Sequence, residues 1–148
     1  MSLEKQVMTD LKTAMKAKDQ VAMRTLRAIK SAILLKQTDG SGDTLEQADE
    51  IKLVQKLVKQ RQDSLDIYEK QDREDLAVTE REEIAVLQRY LPEQMGEDEL
   101  RGIIQEIITS TGASSMKDMG KVMGMANGRL AGKADGKTIA TVVKQLLS

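Results

Sequence analysis

"LPEQMGEDEL", residues 91–100, contains the one proline of the chain. Pro92 disfavours helical geometry at Leu91, because its ring crowds the preceding residue, and Gly96 follows closely. Glu97, Asp98 and Glu99 then stand where carboxylates favour the positive end of a new helix. The stretch reads as the end of one helical run and the start of another. The fold it predicts is all-α: an N-terminal helical domain of about four helices over residues 1–92, and a small C-terminal three-helix domain over 96–148.

Upstream, residues 3–17 carry Leu3, Val7, Met8, Leu11, Ala14 and Met15 at helical spacing. Asp19 can cap a second helix running to about Gln37, whose inner face is Ala22, Leu26, Ile29 and Ile33. Arg24, Arg27 and Lys30 fall on the other side of it. "TDGSGD" at 38–43 is rich in turn formers. Thr44 with Gln47 reads as a capping box, opening a third helix to about Lys70. Its apolar stripe is Ile51, Val54, Val58, Leu65 and Tyr68, with Lys52, Lys56 and Lys59 on a separate stripe. "QDRED" at 71–75 marks a break with Asp72 as a candidate cap. A fourth helix follows to Tyr90 or Leu91, with Leu76, Ile84, Leu87 and Leu91 inward.

Downstream, Leu100, Ile103, Ile104, Ile107 and Ile108 form one helix that stops at Gly112. Ser115 and Asp118 signal the next cap, for a helix to about Leu130. Asp135 caps the last, which carries Ile139, Val142, Val143, Leu146 and Leu147.

Composition supports helices. The 148 residues include two Tyr, no Phe and no Trp, so the core must come from Leu, Ile, Val, Ala and nine Met. Aromatic residues, which favour strands, are nearly absent. The net charge of −1 marks a balanced surface rather than a globally basic one. No apolar run approaches the ~20 residues that cross a bilayer. Leu3 to Lys18 is charged throughout, unlike a secretory leader, and the expected compartment is the cytoplasm. With no His and no Cys, thiol nucleophiles, His-based triads and zinc fingers are excluded. Any metal would need an all-oxygen site. No catalytic residue, cofactor or metal ligand is expected.

Three local patterns carry possible chemistry. Glu80, Glu82 and Glu83 form a carboxylate cluster whose plain reading is a solvated helix face. Ser114 and Lys117 have an S-x-x-K spacing without the companion motifs of serine acylases, and helix capping accounts for the serine. "DMGKVMGMANGRLAGKADGKT", residues 118–138, holds half of the ten glycines. A glycine within a helix costs about 1 kcal/mol relative to alanine, so Gly120 and Gly124 require a reason. Close helix crossing is the simplest one. Beside them, Lys117, Lys121, Arg129, Lys133, Lys137 and Lys144 outnumber Asp118 and Asp135, and packing does not explain that excess. Together they suit a phosphate backbone. No aromatic cluster is present to stack bases, so recognition by shape fits better than reading of a single strand.

"YLPEQM", "ELRGIIQE", "GASSMKDMGKVMG" and "GKADGKTIATVVKQLL" in this order, with "RTLRAIKSAI" and "LVKQRQDSL" upstream, resemble the YqeY-type proteins over nearly the whole chain. The C-terminal part is similar to the tail of the GatB subunit of tRNA-dependent amidotransferases. The resemblance implies the same division into a helical N-terminal part and a three-helix C-terminal part. It also implies a tRNA-contacting tail and an association with carbon–nitrogen ligase activity that uses glutamine as amido donor. The chain has no room for the amidase or the ATP-dependent activating domain of that enzyme, so no catalytic residue is carried over. The implied tRNA surface is Lys117, Lys121, Arg129 and Lys133, assisted by Arg24 and Arg27 on the second helix. A different expectation is a protein–protein adaptor that docks a partner through Met116, Met119, Met123 and Met125.

Overall fold

A computed structural model describes residues 2–39 and 45–148. Seven α-helices, one 3₁₀ turn and no strand occur among the described residues. The helices are α1 (Leu3–Ala17), α2 (Gln20–Gln37), α3 (Gln47–Lys70), α4 (Glu74–Gln88), α5 (Glu97–Thr111), α6 (Met119–Arg129) and α7 (Gly136–Leu147). Contacts divide the chain between Leu91 and Pro92 into two compact units.

In the first unit, local chemistry sets the helix ends. Lys18 takes a left-handed conformation (φ 55°) that closes α1, and Asp19 then accepts from the Ala22 N–H at 3.1 Å to open α2. At the start of α3 the Glu46 N–H donates to the Asp49 side chain at 3.2 Å. The expected cap at Thr44 lies outside the described residues. Asp72 does not cap α4. It sits at φ 56°, with its N–H bonded to the Glu69 carbonyl and the Arg73 N–H bonded to that of Tyr68. That geometry terminates α3 and excludes the extended backbone an N-cap needs. Short carboxamide and carboxylate side chains tolerate this left-handed region better than most, so Asp72 serves the end of one helix instead of the start of the next. α4 ends at Gln88, and turns continue it to Leu91.

The core of this unit is built by Val7, Leu26, Ile29, Ile33, Val54 and Leu87, with a second cluster at Leu65, Ala77 and Ile84. α4 packs on both α2 and α3 and therefore buries a wide face. Ala77 is fully buried where Leu76 was expected, and Leu76 is half-buried. A small side chain at that point lets α4 lie close against α3.

The second unit is a three-helix cluster. Leu100, Ile104 and Ile107 of α5 meet Val122 and Ala126 of α6, and Ile139, Val142 and Val143 of α7. Gly112 closes α5 at φ 70°. The 3₁₀ turn Met116–Asp118 leads into α6: the Ser115 hydroxyl accepts from the Lys117 N–H, and the Asp118 carboxylate accepts from the Ser114 N–H at 3.0 Å. Asp135 caps α7 by accepting from the Thr138 N–H at 2.6 Å. The α6–α7 turn is held from the N-terminal end of the unit. Met95 N–H donates to the Lys133 carbonyl, and the Gln94 amide to that of Gly132. Gly132 is buried at φ 79°, a backbone state that side chains rarely adopt.

Candidate nucleic-acid interface

α6 turns Val122 and Ala126 into the core, with Met119 and Met123 packed beside them. At 100° per residue, Gly120, Gly124 and Gly128 lie on the opposite side and are exposed. A Cβ atom placed on any of the three would meet nothing within 4 Å. The expectation that Gly120 and Gly124 allow a close helix crossing is therefore overturned: within the unit nothing crosses them. The reason is rotational, because the glycines fall diametrically across the helix from the apolar stripe.

Lys121 shares this solvent face and Lys117 stands just before it, both exposed. Neither makes an ion pair among the described residues. Lys133 is exposed in the α6–α7 turn, also without an ion pair there. Arg129 differs: its Nη2 lies 3.0 Å from the Glu106 carboxylate. Both groups are more than half exposed, so the pair is weak and exchangeable. The S-x-x-K residues are the capping turn itself, with the Ser114 N–H held by Asp118.

On α2 the two arginines part. Arg27 is exposed and makes no ion pair among the described residues. Arg24 Nε donates to Glu83 Oε1 at 2.9 Å, and Arg61 Nε lies 3.3 Å from Glu83 Oε2. Glu83 is only 8% exposed. The reading of Glu80, Glu82 and Glu83 as one solvated face fails at Glu83. Its signal was present in the spacing: Leu76, Glu80, Glu83 and Leu87 share one face at helical periodicity, so two carboxylates stand on the apolar stripe. Arg61, which the sequence reading did not single out, is the more buried of the two partners. Burial pushes the Glu80 carboxyl above its ordinary value, and the Glu83 charge pushes it further, against the opposing pull of Arg61 and Arg24.

The methionines do not form one docking face. Met119 and Met123 belong to the core side of α6, whereas Met116 and Met125 are exposed. Among the described residues no cluster of three or more acidic groups is arranged to hold a metal, and no helix is long and apolar enough to cross a membrane.

These features define a class: a small all-helical chain whose C-terminal three-helix unit presents an open glycine face beside uncommitted lysines. Residues 4–147 match the Yqey-like protein family, and the chain belongs to that family. Among its relatives is "Altered inheritance of mitochondria protein 41, mitochondrial" of Vanderwaltozyma polyspora, 39% identical over 82 residues, or 55% of this chain and 44% of that protein. The protein of the same name in Meyerozyma guilliermondii is 34% identical over 125 residues, 78% of this chain and 62% of the relative. That of Pyrenophora tritici-repentis is 28% identical over 141 residues, 93% and 77% respectively. The match thus spans less than half the length of the first of these relatives. Their names carry a mitochondrial designation, which contradicts the cytoplasmic expectation. The charged residues of Leu3 to Lys18 argue against a secretory apolar core, but mitochondrial targeting segments are themselves charged and amphipathic. Charge in that segment therefore gave no ground for choosing the cytoplasm.

Proposed function

We propose that this chain binds tRNA through its C-terminal unit and acts, without catalysis of its own, in association with glutamine-dependent amido transfer to tRNA. One observation carries the reading: the solvent face of α6 combines three side-chain-free positions with Lys121, and Lys117 stands in the turn just before it, neither lysine making an ion pair among the described residues. Helical glycines that serve no internal packing weaken α6 by about 1 kcal/mol each in a helix interior. They permit an external surface to approach the helix backbone closely, and the lysines select an anionic one. A phosphate backbone meets both conditions. The likeness of this segment to the amidotransferase tail supports tRNA as the source of that backbone. Lys133 extends the surface into the α6–α7 turn, and Arg129 joins it by exchanging Glu106 for phosphate. Arg27 is the arginine of α2 available for contact, whereas Arg24 is engaged by Glu83.

The test is fluorescence anisotropy of labelled tRNA at two salt concentrations, with a plain RNA duplex as control. Three phosphates neutralised by Lys117, Lys121 and Lys133 correspond to a log–log salt slope of about −2.7, and a fourfold rise in salt then weakens binding roughly 40-fold. The triple alanine variant should flatten that slope. Salt-sensitive binding unchanged in the triple variant would remove this surface from the proposal, and no binding at low salt would end it.

A further inference from the structure

α2 and α3 form a second surface, independent of the tRNA reading. α3 packs chiefly on α4 and α2 on α1 and α4, while α2 and α3 meet only lightly. The gap between them is a groove of about 730 Å³. Its lining runs from Ala28 to Lys36 on α2, with Asp39 just past the end of that helix, and from Asp49 to Gln60 on α3, about 12 Å along α2 and about 16 Å along α3. Ala28, Ser31 and Ala32 make one wall low, and Leu35, Leu53 and Leu57 supply the apolar contact. Leu35 is 71% exposed, the most exposed of the chain's exposed large apolar side chains among the described residues.

We propose that this groove docks an amphipathic helix of a partner protein, with aliphatic side chains on one stripe and Asp or Glu beside it. The dimensions fit: anchors at i, i+3 or i+4, and i+7 span about 10 Å of helix, within the length of both walls. The low alanine wall admits a helix closely, and the leucines interdigitate with its stripe. Charge chooses the occupant. Lys36 on the rim is bonded to Asp39 at 3.3 Å, and Asp49 is engaged by the Glu46 N–H. Lys52 and Lys56 line the same groove, are exposed, and make no ion pair among the described residues. A second copy docked through a two-fold axis would bring these lysines against the same patch, an arrangement that like charge opposes. A nucleic-acid strand would find anion-binding lysines but a leucine and alanine floor with no ring to stack on. An acidic amphipathic helix satisfies floor and rim together.

The test uses the full chain and a phage-displayed library of four-turn amphipathic helices with a fixed leucine stripe and randomised flanks. Selected helices should be enriched in Asp and Glu at the flanks. Leu35→Asp should weaken them at least tenfold. In Lys52→Glu/Lys56→Glu, selection should switch to basic flanks, a reversal that a change in stability cannot produce. Leu35, Lys52 and Lys56 are all exposed, and far-UV circular dichroism verifies that the variants stay folded. Selected helices with no acidic bias, or helices indifferent to Leu35→Asp, would overturn the proposal. So would self-association of the wild-type chain that Leu35→Asp abolishes, because the occupant would then be a second copy. Loss of tRNA binding in Lys52→Glu/Lys56→Glu, with Leu35→Asp neutral, would likewise overturn it in favour of an anion surface. The groove variants should otherwise leave tRNA binding intact, and the Lys117/Lys121/Lys133 triple alanine variant should leave helix binding intact, so the two readings fail separately.

Discussion

Glu83 of α4 and Arg24 of α2 meet with 2.9 Å between Oε1 and Nε, although 59 residues separate them in the chain. Arg61 of α3 approaches the other carboxylate oxygen at 3.3 Å. One buried carboxylate thus joins three helices of the first unit. Removing one partner of a buried pair strands the other charge, which costs far more than an exposed pair is worth.

Glu83→Ala should therefore destabilise the chain by about 3 kcal/mol, the low end for buried pairs because Arg24 remains half in water. Urea unfolding checks this. Glu83→Gln should cost less, since an acceptor for Arg24 survives. A loss below about 1 kcal/mol for Glu83→Ala would place the pair with ordinary surface ion pairs.

Glu80 should show the opposite sign. Its carboxyl is raised above 4.5 by burial and by Glu83, so the folded state binds its proton more tightly than the unfolded state. Stability from this group is present at low pH and declines as pH rises through the raised value. Glu80→Gln should accordingly raise the urea midpoint at neutral pH, and the gain should vanish below 4.5, where the parent residue is protonated in both states. A gain of equal size at both ends of the range would show that the effect is not ionisation.

Alanine should have contrary effects at two glycines. Gly124 lies within α6 with open space around it, so Gly124→Ala should stabilise by up to about 1 kcal/mol while weakening tRNA binding. Gly112 holds φ 70° at the end of α5, so Gly112→Ala should destabilise by about 1 kcal/mol. Thermal melts of the two variants, run beside tRNA titrations, separate helix propensity from surface access.

Tyr90 donates to Asp10 at 2.5 Å, and burial together with that bond holds its phenol well above the ordinary value of 10.0. The folded state therefore keeps this proton when the unfolded state loses it, and stability from Tyr90 falls as pH rises beyond 10.0. Tyr90→Phe should remove a late step from the ultraviolet titration. It should also cost about 1 kcal/mol at neutral pH through the lost hydrogen bond. A titration unchanged by the substitution would contradict the buried setting.

Much of the fold follows from residues near one another in the chain. The break at Pro92 and Gly96, the caps at Asp19, Ser115 and Asp135, the stop at Gly112 and the inner faces of α2, α5 and α7 are all interactions within a few positions. Spacing and side-chain type suffice to read them. Asp72 was misread because two helix ends compete for it, and only the left-handed backbone that closes α3 decides the contest.

The sequence by itself determined that the chain is helical, that its core is aliphatic, and that glycines and lysines gather between residues 117 and 137. Tertiary structure decided which of them remain uncommitted. Rotation about α6 carries Gly120, Gly124 and Gly128 away from the core. Packing of α2, α3 and α4 takes Glu83 off the list of solvated charges and commits Arg24 to it, and leaves Lys52, Lys56 and Leu35 beside an open groove. The physical reason is range: a cap or a helical stripe is settled within a few residues, whereas burial of a charge depends on a helix contributed from far along the chain.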